Sequence, residues 1–232
     1  MKGANDMKRT ICFLIVGLFL VSCASHKAVQ QPNLTYDLAA QKNKVTENGV
    51  DLVTKPIHSK SELKSYFDQD LLKDGILPVQ VSISNNSHND FYLDTEGVSL
   101  VDPSQNRYPV LPVSAVVKKA KKSYWRTAGW GVAFGLLGVI PSAINVNSTN
   151  TKIEDDYYAK ALKSGNLSNG AGMEGLVFFA VPDGMTSLDG WEFKLAYTTP
   201  GSNNLATIAC CLVGQIEKRD IETASADHAD TN

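Results

Sequence analysis

Apolar and polar residues alternate along much of this 232-residue chain. In "ILPVQVSIS" (76–84), Val79, Val81 and Ile83 share one face, the two-residue period of a half-buried strand. In "GWEFKLAYT" (190–198), Trp191, Phe193, Leu195 and Tyr197 alternate with Glu192, Lys194 and Ala196. "GVDLVT" (49–54) predicts a first strand, and "FYLD", "GVSLVD", "EGLVFFAVP" (174–182) and "LATIACCLVGQI" (205–216) predict others. "NNSHND" (85–90) and "PSQN" (103–106) are clusters of turn formers. Pro109 and Pro112 lack the amide that a ladder needs, so "RYPVLPV" belongs at a sheet edge or exit. About seven or eight short strands separated by turns predict a mainly β protein, an antiparallel β-sandwich.

Three segments carry a helical period instead. "SKSELKSYFDQDLLKDG" places Ser59 and Glu62 at capping-box spacing, Leu63, Phe67 and Leu71 on one stripe, and Gly75 as a stop. "SAVVKKAKKSYW" (114–125) is helical and basic. "IEDDYYAKALKSG" (153–165) opens with acids that suit a helix N-terminus and closes on Gly165. The last two flank a glycine-rich stretch, so an α-helical insertion spanning 114–165 interrupts the strands. That is long for a connection and points to a role of its own.

The N-terminus reads as an export signal. Lys8 and Arg9 precede ten apolar residues, Ile11–Leu20, and Met7 would itself serve as a start. Ten residues rise about 15 Å as a helix, roughly half a bilayer core. The run ends in Leu20-Val21-Ser22-Cys23, which resembles the lipobox of bacterial lipoproteins. The resemblance implies a signal peptide over 1–22 and diacylglycerol on Cys23, with the new amino group acylated. Several acyl chains on one residue anchor stably where one chain anchors marginally. Ala24, rather than Asp, follows the cysteine; the resemblance then implies the outer membrane, on its periplasmic side. Residues 23–44 form a polar tether, whose typical end-to-end distance is about 25 Å. Residues 217–232 lack an apolar pattern and predict a disordered tail.

The body, 45–216, resembles an Ig-like envelope domain of bacterial lipoproteins. The likeness rests on the lipobox, on "ILPVQVSISNNS" followed by "GVSLVDPSQNRYPV", and on "EGLVFFAVP". It implies an Ig-like sandwich and brings no shared catalytic residues.

The stretch from Thr127 to Thr151 contains no charged residue. Length alone makes it a candidate membrane span. Its glycines, Pro141, Ser142 and Asn145 erode the gain from its apolar side chains, and Pro141 ends or kinks a helix. A span would also put the lysines of "KKAKK" (118–122) outside the inner membrane, against the positive-inside tendency. Gly131, Gly135 and Gly138 share one helix face, at about 1 kcal/mol each relative to alanine. Close approach of another backbone offsets that cost. Trp130 and Phe134 line the neighbouring face, and Trp125 and Trp130 suit a membrane interface. Two readings follow. The segment packs internally on its own sheet or on the helix from Ile153, or it is a contact face. Trp125, Trp130, Gly131, Phe134, Gly135 and Gly138 would then touch a protein partner, a second copy or the membrane. The lysines divide the same way, between a solvated face and lipid headgroups.

Reaction chemistry leaves no motif. G-x-S-x-G, H-E-x-x-H, P-loop and dinucleotide fingerprints are missing from the sequence. A net charge of −2 gives no basic footprint for nucleic acid. The four cysteines (Cys12, Cys23, Cys210, Cys211) match no zinc spacing. His88 near Asp90 reads as a turn histidine, and the acids 154–156 as a helix start rather than a cation site. Cys210 and Cys211 point to opposite faces of a strand, both flanked by apolar residues, so both read as buried thiols, with an intermolecular disulfide as the alternative. The expected function is a non-catalytic, lipid-anchored envelope protein without cofactor or metal. It would bind a protein partner or a second copy, as an accessory subunit of an envelope assembly. The alternatives are a membrane-active oligomer built on the glycine face, and a periplasmic hydrolase or ligand-binding domain.

Overall fold

The computed structural model describes residues 43–121, 143–199 and 205–216, and of 143–150 the backbone alone. The chain enters its first sheet through a hairpin. Strands β1 (Lys44–Glu47) and β2 (Val50–Pro56) are joined by Asn48-Gly49, both at positive φ, 51° and 78°. Asn-Gly is the pair that a two-residue type I′ turn favours. Strand β1 was not among the predicted strands, although this dipeptide marks it.

Helix α1 (Lys60–Phe67) starts at the predicted cap, where the Glu62 amide donates to Ser59 Oγ at 3.2 Å. The predicted single helix to Gly75 is broken, because Asp68 turns left-handed at φ 59°. A short 3-10 turn (Leu71–Asp74) follows. The break keeps Phe67 and Leu71 on one buried side, so the apolar stripe was right and its continuity was not.

The remaining elements are β3 (Ile76–Asn85), β4 (Phe91–Val101), β5 (Arg107–Pro109), helix α2 (113–121), helix α3 (Ala143–Lys160), β6 (Gly165–Leu167), β7 (Gly172–Ala180), β8 (Glu192–Thr198) and β9 (Leu205–Cys211). "FYLD" and "GVSLVD" form one strand, β4, irregular between Leu93 and Val98. The described strands make two sheets, in the orders β1-β2-β3-β7 and β5-β4-β8-β9, with β6 also on β4. Every strand pair is antiparallel. The protein is mainly β, and the arrangement agrees with a β-sandwich.

Period-2 alternation fills the space between the sheets. Leu77, Val79, Val81 and Ile83 of β3 share one cluster with Leu93 and Leu100 of β4 and with Phe193 and Leu195 of β8. Each fully buried side chain of this size contributes about 1.5–3 kcal/mol. The opposite face of the first sheet is buried too. Ile76, Leu176 and Phe178 pack there against Leu63 and Phe67 of α1, Val116, Val117 and Ala120 of α2, and Ile153 and Tyr157 of α3. The molecule therefore has three layers, helices on sheet on sheet, and β7 reads as a nearly continuous apolar run because both its faces are covered.

The outer edge of β7 is closed by chain on either side of the helices. The Leu111 amide donates to the Phe178 carbonyl at 2.7 Å, and the Leu162 amide to the Leu176 carbonyl at 2.9 Å. Gly175 makes this approach possible, since a Cβ there would lie 2.4 Å from the backbone N and Cα of Leu162. Gly175→Ala should destabilise the protein by about 2 kcal/mol, read as a lower urea midpoint with an unchanged slope. An unchanged midpoint would mean that residues 161–162 can move off β7 freely.

Helix α3 begins at Ala143, ten residues before the predicted start. The acids at 154–156 thus lie inside it rather than in its first turn. Its end comes at Lys160, because Leu162 joins β7; Gly165 opens β6 and caps nothing.

Candidate functional site

The insertion is fastened at both of its described ends. On α2, Val116, Val117 and Ala120 point into the helical cluster, and Lys118 and Lys119 face outward. On α3, Ile153, Asp156, Tyr157 and Lys160 point inward at the spacing of one helix face. Lys121 Nζ on α2 meets Glu154 Oε2 on α3 at 2.8 Å, and Lys119 Nζ donates to the Asp74 carbonyl at 3.3 Å. Both contacts are exposed, where ion pairs contribute at most about 1 kcal/mol. They set the direction of the two helices more than they hold them.

Beneath the helices lies a buried polar cluster. Lys160 Nζ stands 2.7 Å from Asp156 Oδ2 and donates to the Tyr66 carbonyl at 2.6 Å. Its ammonium also lies 5.5 Å from the centre of the Phe67 ring. The Gln69 side-chain amide donates to the Tyr157 hydroxyl at 2.7 Å. Phe67, Tyr157 and Phe178 pack ring against ring, with centroids 5.4–6.0 Å apart. Burial pushes the Tyr157 phenol well above its ordinary value. Burial, with Glu62 nearby, raises that of Tyr66 to about 12. Neither phenol can act as a base near neutral pH. The lysine ammonium is engaged by a carboxylate, a carbonyl and a ring, so the cluster joins α3 to α1.

The sequence had flagged Asp156 within a possible cation-binding triplet. The structure gives it Lys160 as partner instead. The i, i+4 spacing of the two was visible, but their burial was not. Among the described residues no group of three or more His, Cys, Asp or Glu could hold a metal ion. His88 is exposed in its turn, and Asp90 accepts from the Asn169 amide at 3.3 Å. His58 is half-buried against Gly214.

The two adjacent thiols differ, which corrects the expectation that both are buried. Cys210 faces the core, with the Thr54 hydroxyl 3.5 Å from its sulfur, and burial raises its pKa. Cys211 is exposed. The cause is strand parity: Cys210 lies on the face of β9 turned to the core and Cys211 on the other, and β9 ends its sheet. Cys23, Trp125, Trp130, Gly131, Phe134, Gly135 and Gly138 lie outside the described residues. Among the described residues no helix is long and apolar enough to cross a membrane.

Neither a family model nor a curated protein matches the chain. Several solved structures resemble it distantly. The yjhA protein of Bacillus subtilis is 10% identical, with a TM-score of 0.35 over 66% of this chain and 79% of that one. A candidate lipoprotein, ycdA, of the same organism is 14% identical, with a TM-score of 0.34 over 72% of this chain; the match spans 38% of ycdA. A DUF4426 family protein of Pseudomonas aeruginosa is 8% identical, with a TM-score of 0.31 over 78% of this chain and 98% of that one. At such scores the likenesses leave fold and function to be argued from the chain itself.

Proposed function

We propose that this protein is a non-catalytic, lipid-anchored docking protein of the bacterial cell envelope. Cys23 carries the lipid, the polar residues after it form the tether, and an Ig-like body presents the insertion. The place is the outer membrane, facing the periplasm. The insertion contacts a partner protein of an envelope assembly, a second copy or the membrane.

Strand order supports the Ig-like reading. Strands β2-β3-β7 opposite β5-β4-β8-β9 follow the A-B-E against C′-C-F-G arrangement of immunoglobulin-type folds. The insertion then lies between C′ and E.

The observation that carries the docking role is the seating of α2 and α3. Both helices that bracket residues 122–142 are fixed in one buried layer and joined by Lys121 and Glu154. A glycine-rich segment, without charge over residues 127–142, thus connects the two seated helices. Rigid elements carrying a variable segment are the usual basis of recognition.

The test compares the full chain with a variant in which residues 125–142 are replaced by a Gly/Ser linker of equal length. A photo-crosslinking residue replaces Tyr158 in both, a position that is 45% exposed on α3. The variant should keep its circular dichroism and its unfolding midpoint, and lose the adduct that the parent forms in native membranes. The mass of the parental adduct distinguishes protein partner, second copy and lipid. Loss of the folded sheets would show the segment to be core, and an adduct that persists would place the contact elsewhere.

A further inference from the structure

Charge is sorted by layer in this protein. Helices α1 and α2, with the 3-10 turn and its approach, expose Lys60, Lys64, Lys73, Lys118 and Lys119 against one exposed acid, Asp68. Glu62, the acid within α1, is half-buried and already meets Lys55 at 2.7 Å. On the far side of the molecule, β4, β5, β8 and β9 expose Asp94 and Glu96 against Arg107. A chain whose net charge is −2 therefore turns a cationic face outward from α1 and α2.

These lysines belong to one surface. Leu63 and Phe67 of α1 and Val116 and Ala120 of α2 share one apolar cluster, which fixes the two helices side by side on the first sheet. The Lys119 ammonium donates to the Asp74 carbonyl at 3.3 Å, next in sequence to Lys73. That acceptor is neutral, so it leaves the charge of Lys119 uncancelled. Like charges gathered on one face repel each other, and an opposite charge outside the protein offsets the cost.

We infer that the outward face of α1 and α2 lies against anionic phospholipid headgroups. Charge complementarity calls for a polyanion, and two further features select a bilayer. Lys44, where the tether enters the body, pairs with Val53 near the end of β2, and α1 starts four residues after that strand ends. Tether and α1 thus meet at one end of the sandwich. The sequence after α2 adds Lys122 and Arg126 beside Trp125 and Trp130, the basic and aromatic composition that suits a membrane interface. Each lysine held at an anionic surface strengthens attachment about fivefold. A tethered body needs no more than such weak contacts, because its binding is intramolecular. The inference rests on the anchored location proposed above for this proximity, and it names the membrane as the partner of the helical layer.

Lysine reactivity on vesicles reads the contact. The full chain, extracted from membranes in detergent, is incorporated into preformed vesicles of phosphatidylcholine, alone or with about one-third phosphatidylglycerol, and acetylated in about 0.1 M salt. Lys64, Lys118 and Lys119 should react at least about fivefold more slowly on the anionic vesicles, while half-buried Lys194 on β8 reacts equally on both. The protection should vanish in about 1 M salt, where the screening length falls to about 3 Å. Equal rates on the two vesicles overturn the inference, and so does protection that survives the higher salt, which would assign the face to a protein contact. Retention on phosphatidylcholine alone reads the anchor separately. A chain lost from those vesicles refutes the anchor, and flotation with the anionic vesicles then decides the inference. The parent should float with them, and the variant Lys64→Gln, Lys118→Gln, Lys119→Gln, with an unchanged unfolding midpoint, should not. Equal flotation of the two, or of neither, overturns it.

Discussion

Lys160→Ala should cost about 3–5 kcal/mol of folding stability. Lys160 and Asp156 are each under one-tenth exposed, at 7% and 8%. Alanine removes the ammonium 2.7 Å from the Asp156 carboxylate and takes away the donor to the Tyr66 carbonyl. A buried carboxylate is then left without that cation, where charge is poorly solvated. The double change Asp156→Leu, Lys160→Met should recover most of the loss, because apolar replacement of a whole buried pair is often neutral or favourable. Urea unfolding of both variants provides the measurement. A loss below about 1 kcal/mol for Lys160→Ala would show the pair to be as well solvated as a surface one. The same variant tests the base of the insertion, since Lys160 joins α3 to α1.

Cys23→Ser should reduce incorporation of labelled palmitate from full to background. The apolar run before it is too short to span a bilayer, so under the proposed function lasting attachment falls to acyl chains on Cys23. Each methylene contributes about 0.8 kcal/mol on burial, and two or more chains move the balance from marginal to lasting. The parental N-terminal peptide should carry the added acyl mass at Cys23. A parent without label, or a variant that keeps it, removes the lipid anchor from the proposed function and leaves the docking surface to be argued alone.

Local pattern revealed much of this protein. The alternation of Phe193, Leu195 and Tyr197 marked β8, because a strand with one buried face must alternate. Val79, Val81 and Ile83 marked β3 as half-buried, yet both its faces are buried, Gln80 and Ser82 included. Ser59 and Glu62 marked the start of α1, because a cap is a contact over three residues. Asn48-Gly49 marks the β1–β2 turn equally well. The lipobox-like Leu20-Val21-Ser22-Cys23 and the charge-free stretch are also local, and the proposed function rests on them.

Tertiary structure decided everything that depends on distant residues. Apolar runs show that a segment is buried but not against what, so the helical layer over the first sheet was not legible in the sequence. The acids at 154–156 looked like a helix start until Asp156 met Lys160 beneath Tyr66, a residue 94 positions away from that lysine. Cys211 looked like its neighbour until the structure turned Cys210 to the core and left Cys211 exposed on the last strand of its sheet. The reason is one of range. Dihedral preference, capping and periodicity act within a few residues, whereas burial and the partnering of charge are set by contacts that exist only once the chain has closed on itself.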